Sequence, residues 1–263
     1  MIDFLNSLDA EIFLALNGCH AAFFDSFMKL FSGRFIWIPM YAVALLIFLR
    51  GGNRKQTCIY LLALVAAIVL TDQVCATEIR PVVERMRPSN PLNPLSAFTH
   101  IVDGYRGGPY GFPSCHAANS FALVVFMALF VRRWKFTLFI VGWGLLNSYS
   151  RIYLGVHYPG DLLVGGLIGG LIGWLCYAIA TYLCGPDATA SRSALLSRPL
   201  FPAPSASAPT ASSASVPLAS SASAPSVSSD RAALSWRRLT APALMMCVFA
   251  LTLCYIIIAS LIR

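Results

Sequence analysis

Long runs of apolar residues dominate this sequence and decide what kind of fold it can adopt. A helix needs about 20 mostly apolar residues to cross the hydrocarbon core of a bilayer. Hydrophobic residues make up 57% of the chain and charged residues only 11%, and the mean hydropathy is +0.70. A soluble domain is about half apolar and a quarter charged, so this chain has too little polar surface to cover a soluble globule. We predict an all-α, polytopic membrane helix bundle.

Six apolar runs approach or reach the length of a membrane span, and the shorter ones need flanking residues to complete the crossing. The runs are 34–49, 56–77, 117–131, 136–149, 161–184 and Ala241–Ile262. The sequence therefore predicts about six transmembrane helices.

The N-terminal segment follows a different pattern, in which apolar and polar residues recur on opposite sides of a helix. The apolar set is Leu5, Leu8, Ile12 and Leu16, and the polar set is Asp3, Asn6, Asp9 and Glu11. This pattern predicts an N-terminal amphipathic helix that lies in the membrane interface. A re-entrant hairpin through Asn17-Gly18 is the alternative.

Residues 185–240 are rich in Pro, Ser and Ala and cannot bury an apolar core, so we predict a disordered linker there. The chain then divides into a membrane domain at 1–184, the linker at 185–240 and a C-terminal transmembrane helix at 241–263. Glycines from Gly165 to Gly173 give the fifth run a face of small residues that suits close helix packing. A homodimer could form through this face.

Basic residues occur in short clusters between the apolar runs rather than in one patch, which argues against a nucleic-acid partner despite the net charge of +8. The clusters are Arg50, Arg54 and Lys55; Arg132, Arg133 and Lys135; and Arg192, Arg198, Arg231, Arg237 and Arg238. They fall on one side of the membrane, which marks that side as cytoplasmic. The loops 78–116 and 150–160 therefore face the outside, which is the periplasmic side of a bacterial inner (plasma) membrane.

Arginines collect in these two outward loops, against the usual bias of membrane topology. They are Arg80, Arg85, Arg87, Arg106 and Arg151. Convergent guanidinium groups without nearby acids predict an anionic ligand, because their paired N–H groups match phosphate oxygens. For Arg85 and Arg106, which lie in no tight motif, nonspecific contact with lipid headgroups is the preferred interpretation.

His157 lies near the end of the outward loop 150–160, and Asp161 follows it by four residues, just beyond the loop. Between them, Pro159-Gly160 predicts a turn, with Asp161 as the N-cap of the next helix. A carboxylate so placed can fix the tautomer of the His157 imidazole, and the other ring nitrogen is then a nucleophile.

A second histidine, His116, follows Pro113-Ser114 where the third apolar run begins, and a helix N-terminus there can face an anion. One imidazole can attack phosphorus while the other protonates the leaving oxygen. Arginines can stabilise the charge, so we expect no metal and no other cofactor. The eight Cys residues form no C-x-x-C pair and no metal-like spacing with the four His.

Three segments of the chain resemble the motifs of a known family. They are Arg80-x6-Arg87-Pro88, Pro113-Ser114-Cys115-His116 and Ser150-Arg151-x5-His157-x3-Asp161. In this order they resemble the K-x6-RP, PSGH and SR-x5-H-x3-D motifs of the type 2 phosphatidic acid phosphatase superfamily. The third motif is complete, and each of the first two differs at one residue. The resemblance covers roughly residues 1–184 and implies a membrane phosphatase domain there.

The resemblance implies a role for each matching residue. His157 would be the nucleophile that forms a phosphohistidine, Asp161 would orient it, and His116 would be the general acid. The implied phosphate-binding residues are Arg80, Arg87, Ser114, Cys115 and Arg151. Arg80 stands where the family has Lys, and Cys115 stands where it often has Gly.

Within the family, the chain looks most like the small bacterial undecaprenyl-diphosphate phosphatases, so undecaprenyl diphosphate is the expected substrate. Lipid A, phosphatidylglycerophosphate and phosphatidic acid are alternatives. A vanadate-binding haloperoxidase resembles the same site, but the apolar runs argue against it. A non-enzymatic protein that binds or transports lipid phosphates through a degenerate site would account for the two departures from the motifs.

Overall fold

The computed structural model describes residues 2–50, 53–185, 196 and 240–262, and the regular structure within these ranges is helical. The helices are α1 (Ile2–Asn17), α2 (Ala22–Phe31), α3 (Ile38–Arg50), α4 (Arg54–Gln73), α5 (Arg80–Val83), α6 (Cys115–Val131), α7 (Trp134–Tyr153), α8 (Pro159–Cys184) and α9 (Ala241–Ile262). A π-helical segment, Val74–Ile79, joins α4 to α5, and a 3₁₀ turn, Phe35–Trp37, precedes α3. The predicted linker lies outside the described residues, apart from residues 185, 196 and 240.

Three helical segments in the described part of the chain are long and apolar enough to cross a membrane. They are Arg54–Val83, Pro159–Cys184 and Pro242–Ile262. A fourth crossing is available if Ala22–Phe31 and Phe35–Arg50, which are bent by 67° at the break between them, count as one span. The all-α membrane fold is therefore confirmed, whereas the predicted count of six spans is not. The two remaining predicted runs are helical, as α6 and α7, but neither meets the criteria for a span on its own.

The closest helix packing in the bundle is between α6 and α8, and it depends on glycine. Gly165, Gly169 and Gly173 are buried along one side of α8. A Cβ atom added to Gly165 would lie 2.5 Å from the carbonyl oxygen of Ser114, and one added to Gly173 would lie 2.6 Å from that of Ala122. The glycine face is therefore covered by α6 of the same chain and does not offer itself to a second copy. The homodimer remains a prediction, but the glycine face is not available as its interface.

A side chain at Gly169 is expected to force α6 and α8 apart, because a Cβ there would overlap the backbone of Ala118. We expect Gly169→Val to destabilise the fold by about 1–3 kcal/mol, the usual cost of overpacking, and to lower the thermal unfolding temperature in detergent. Gly142→Val on α7 is the matched control, because nothing lies within 4 Å of a Cβ at that position. Equal unfolding temperatures for the two variants would contradict this account of the packing.

The C-terminal helix α9 packs against the rest of the bundle through an aromatic cluster. The ring of Phe249 stacks on Trp37 at a centroid distance of 5.4 Å and meets Phe139 edge-on at 4.9 Å. These contacts join α9 to the start of α3 and to α7.

The N-terminal helix α1 has the predicted amphipathic pattern, but part of its polar side faces the protein. The predicted apolar stripe is exposed on the outer surface, which suits contact with lipid. Asn17 is buried, donates to the carbonyl of Tyr153 at 2.9 Å and accepts from the backbone N–H of His100 at 2.7 Å. The polar residues of α1 thus connect it to the outward loops.

Candidate active site

A cavity of about 800 Å³ brings the three predicted segments together. Its polar end is lined by Arg80, Arg87, Cys115, His116, Arg151 and His157. Ser114 and Asp161 lie directly behind this surface and are fully buried. Every residue that the sequence proposed for the site is therefore in or next to one cavity.

Hydrogen bonds to backbone carbonyl groups join the three segments to one another. Arg80 Nη2 donates to the carbonyl of Pro113 at 3.0 Å, which joins the first segment to the second. The backbone N–H of Ser114 donates to the carbonyl of Asp161 at 3.0 Å, which joins the second to the third. The cavity is thus held by the main chain as well as by its side chains.

His157 sits between a carboxylate and a guanidinium group. Its Nδ1 lies 3.3 Å from Asp161 Oδ2, and its Nε2 lies 2.8 Å from Nη1 of Arg87. Because Arg can only donate, Nε2 must be the acceptor, and the ring proton is on Nδ1 facing the carboxylate. Burial lowers the pKa of His157 well below its usual value, and the charge of Arg87 lowers it further. The imidazole is therefore neutral, with the lone pair of Nε2 on the cavity side.

Asp161 lies at the start of α8, although not as the N-cap that the sequence predicted. Tyr158 is the N-cap, and α8 begins at Pro159, so Asp161 occupies the third helical position. Proline is favoured in the first turn of a helix, where no intrahelical N–H is needed, so Pro159-Gly160 starts the helix instead of preceding it. From there the carboxylate accepts the backbone N–H of Tyr158 at 3.1 Å, as in a capping box.

Arg85 is held by two carboxylates, which contradicts its interpretation as a lipid-headgroup contact. Its Nη1 lies 2.9 Å from Asp161 Oδ1 and 2.7 Å from Asp9 Oδ2. Its guanidinium carbon lies 4.0 Å from the centre of the Tyr158 ring. Asp9 also accepts the backbone N–H of Gly160 at 2.8 Å. The N-terminal helix therefore positions the carboxylate that orients His157, a role that sequence reasoning missed.

Arg106 also has partners within the protein. Its Nη1 donates to the carbonyl of Ser89 at 2.6 Å and to the hydroxyl of Ser96 at 2.9 Å. It braces the outward loop and does not line the cavity.

The two residues that depart from the family motifs contact each other. Arg80 Nη2 lies 2.8 Å from the sulfur of Cys115. Cys115 is the first residue of α6, and it has no positive φ that would require glycine. The backbone at this position therefore keeps the direction that a helix N-terminus needs to face an anion.

Arg151 is oriented by residues outside the motifs. Its Nη1 donates to the hydroxyl of Ser32 at 2.6 Å, and its Nη2 donates to the hydroxyl of Tyr105 at 3.1 Å. Arg34, which sequence reasoning placed only at the start of an apolar run, lines the same cavity. These residues are far from the motifs in sequence, and no spacing pattern could have found them.

Several buried side-chain nitrogen atoms of the cavity have no hydrogen-bond partner among the described residues. They are Nε of Arg80, Arg87 and Arg151, and Nε2 of His116. Burial and, to a lesser extent, the charges of Arg80 and Arg151 lower the pKa of Arg87 to about 10, so its guanidinium stays cationic at neutral pH. Convergent cationic donors of this kind suit an oxyanion with several acceptor oxygens, such as phosphate.

Convergent arginines beside a histidine and an aspartate suit phosphate chemistry, and comparisons with known proteins identify the class of protein. A sequence model of the PAP2 superfamily matches residues 56–184. The chain is 51% identical over 181 residues to the lipid A 4'-phosphatase of Bacteroides thetaiotaomicron, covering 68% of this chain and 80% of that protein. It is 30% identical over 182 residues to the lipid A 4'-phosphatase of Porphyromonas gingivalis, covering 69% and 76%. It is 33% identical over 174 residues to the undecaprenyl-diphosphatase of Sulfolobus acidocaldarius, covering 65% and 78%. The chain belongs to the PAP2 superfamily.

The contact from Asp9 predicts a catalytic effect of a residue that does not reach the cavity. We expect Asp9→Asn to lower kcat for phosphate release about tenfold with little change in KM, because misplaced catalytic groups slow the chemical step. Asp3→Asn, an exposed acid on the same helix, is the matched control. A loss confined to KM, or equal activity of the two variants, would show that Asp9 does not position the site.

Proposed function

We propose that this protein is a metal-independent lipid phosphatase that works through a phosphohistidine on His157. The observation that carries the proposal is the hydrogen-bonded series Asp161, His157 and Arg87 at the end of a cavity lined by further arginines. Away from these groups the cavity lies between α3 and α4, where its lining is apolar. A phosphate at the polar end and a hydrocarbon chain between the helices would fit a lipid phosphate.

The proposed reaction has two displacements at phosphorus. In the first, Arg87 Nη1 transfers its hydrogen bond from Nε2 of His157 to a phosphate oxygen, and the freed lone pair of Nε2 forms a bond to phosphorus. The bond to the leaving oxygen breaks, and His116 gives that oxygen a proton. In the second, His116 takes a proton from water, the water oxygen bonds to phosphorus, and the bond to His157 breaks to release phosphate. The guanidinium groups of Arg87 and Arg151 stabilise the charge of both transition states, which is the task that a metal performs in other phosphatases.

The substrate we now favour is lipid A rather than undecaprenyl diphosphate. The relative with 51% identity is named for lipid A, and so is the one from Porphyromonas gingivalis. Two relatives named for undecaprenyl diphosphate match at 33% and 27% identity over 174 and 180 residues, and a third matches at 41% over only 64 residues. The amphipathic N-terminal helix and the compact spans do not distinguish an enzyme for lipid A from one for undecaprenyl diphosphate.

We further propose that the site faces the periplasm from a bacterial inner membrane. α6 begins at the cavity and ends beside Arg132 and Arg133, and α7 begins beside them and returns to the cavity. Arg50 and Arg54 lie at the joined ends of α3 and α4, whereas the start of α3 lies beside the cavity. Basic residues favour the cytoplasmic side, so these clusters support an outward site.

The test is phosphate release by the purified full chain from four lipids: lipid A, undecaprenyl diphosphate, phosphatidylglycerophosphate and phosphatidic acid. We expect release with EDTA present, inhibition by vanadate, and the highest kcat/KM for lipid A. Loss of activity in EDTA would reject the metal-independent mechanism. Binding of lipid phosphates without any release would support the transport alternative, and halide oxidation with vanadate would support the haloperoxidase.

A further inference from the structure

The lining of the cavity changes in character along α6. His116 lies at the phosphate-binding end, Asn119 and Ser120 lie one turn further along the helix, and Leu123 lies one turn beyond them. A helical turn rises about 5.4 Å, so the three levels are cationic, neutral polar and apolar in steps of that size.

Helix α7 repeats this order, and α4 shares its polar and apolar levels. On α7, which runs in the opposite direction, Arg151 is at the cationic level, Asn147 at the polar level and Trp143 at the apolar level. On α4, Asp72 follows the apolar residue Val69 by one turn, near the end of the helix that faces the site. All three helices therefore have a polar level next to the apolar part of the cavity, and on α6 and α7 this level separates the apolar part from the phosphate-binding groups.

The polar level contains a carboxylate that the arginines do not neutralise. Asn119 Nδ2 donates to Asp72 Oδ1 at 3.2 Å. Among the described residues Asp72 has no ion pair within 4.0 Å, although Arg80 lines the same cavity. Asp72 is exposed, so most of its acceptor capacity is open to a ligand.

A carboxylate at this level cannot serve the phosphate, because phosphate oxygens are themselves negative acceptors. It can accept hydrogen bonds from O–H or N–H groups one turn below the phosphate, on the group from which the phosphate is cleaved. A sugar ring presents such donors, whereas a polyprenyl chain presents none. We infer that Asp72 and Asn119 are specificity-determining residues that select lipids whose phosphate is carried by a sugar or another donor-bearing group. This inference rests on the proposed function and deepens it.

The inference predicts a change of selectivity rather than a general loss of activity. The measurement is the ratio of kcat/KM for a phosphorylated, acylated glucosamine lipid to kcat/KM for undecaprenyl diphosphate. We expect Asp72→Asn to lower this ratio about tenfold or more, because a hydrogen bond to a charged acceptor is lost. Since both substrates are assayed on one preparation, the ratio does not depend on the folded fraction. Glu78→Gln, an exposed carboxylate that does not line the cavity, is the matched control and should leave the ratio as it is in the wild type.

A double-mutant cycle identifies the interaction directly. The second change is made in the substrate, by replacing the sugar hydroxyl next to the phosphate with hydrogen. The wild type should lose about tenfold in kcat/KM on this deoxy lipid, and Asp72→Asn should lose much less. Additive losses, or an equal loss on the glucosamine lipid and the diphosphate, would overturn the inference. Release from the diphosphate but not from the glucosamine lipid would also overturn it and leave the phosphatase proposal standing. Release from neither would reject the proposed function itself.

Discussion

Replacing His157 by alanine is expected to abolish phosphate release, lowering kcat by about 10⁴-fold or more, the scale seen when a catalytic nucleophile is removed. The imidazole is almost completely buried, and the lone pair of its Nε2 faces Nη1 of Arg87. Among the described residues that line the cavity, no other imidazole is hydrogen-bonded to a carboxylate. The measurement is release of inorganic phosphate from lipid A in detergent.

A structural explanation for this loss can be separated from a chemical one. His20→Ala is the matched control, because His20 is exposed on the loop between α1 and α2 and does not line the cavity. Both variants should insert into membranes and unfold at similar temperatures. With a radiolabelled phosphate substrate, only the wild type and the control should yield an acid-labile, alkali-stable label on the protein. Label on the His157 variant would show that the nucleophile is elsewhere.

The sequence predicted the parts of the site whose spacing is set by chemistry. His157 and Asp161 are four residues apart across the start of α8, and the structure places His157 Nδ1 3.3 Å from Asp161 Oδ2. The predicted segments also converge on one cavity, because the start of α6 and the end of α7 meet at the same end of the bundle. Such relations follow from helical geometry and from the alternation of spans.

Contacts between distant residues could not be predicted in this way. Arg85 and Asp161 are 76 positions apart, and nothing in the sequence links either of them to Asp9. In the sequence, Arg80 and Cys115 are unrelated departures from two different motifs. The structure shows that their side chains are in contact.

The predicted count of six spans stays unconfirmed, and the sequence did not single out Asp72, for a related reason. Composition reports how apolar a run is, but not how packing bends or shortens it, as between α2 and α3. Asp72 was one polar residue inside a long apolar run. Its place in the site becomes visible only in the structure, where polar residues of α4, α6 and α7 line the same part of the cavity.

Replacing His116 by alanine is expected to have an effect that depends on the leaving group. A lipid alkoxide or a sugar oxygen needs a proton to leave, so we expect kcat/KM for lipid A to fall by about 10²–10⁴-fold, the usual contribution of a general acid. Nitrophenolate leaves without a proton, so the first displacement on p-nitrophenyl phosphate should be affected much less.

The same substitution should also slow the second displacement, because His116 activates the attacking water by accepting its proton. The His116→Ala variant should therefore release nitrophenol in a burst of up to one equivalent and then turn over slowly, with phosphate retained on His157. The control is the wild type assayed on the same two substrates. With the general acid present, its rate should depend less on the leaving group than the rate of the variant does. An equal loss on lipid A and p-nitrophenyl phosphate, without a burst, would assign His116 to phosphate binding instead of proton transfer. That outcome would leave the buried, unpartnered Nε2 of His116 as one more donor to the phosphate oxygens.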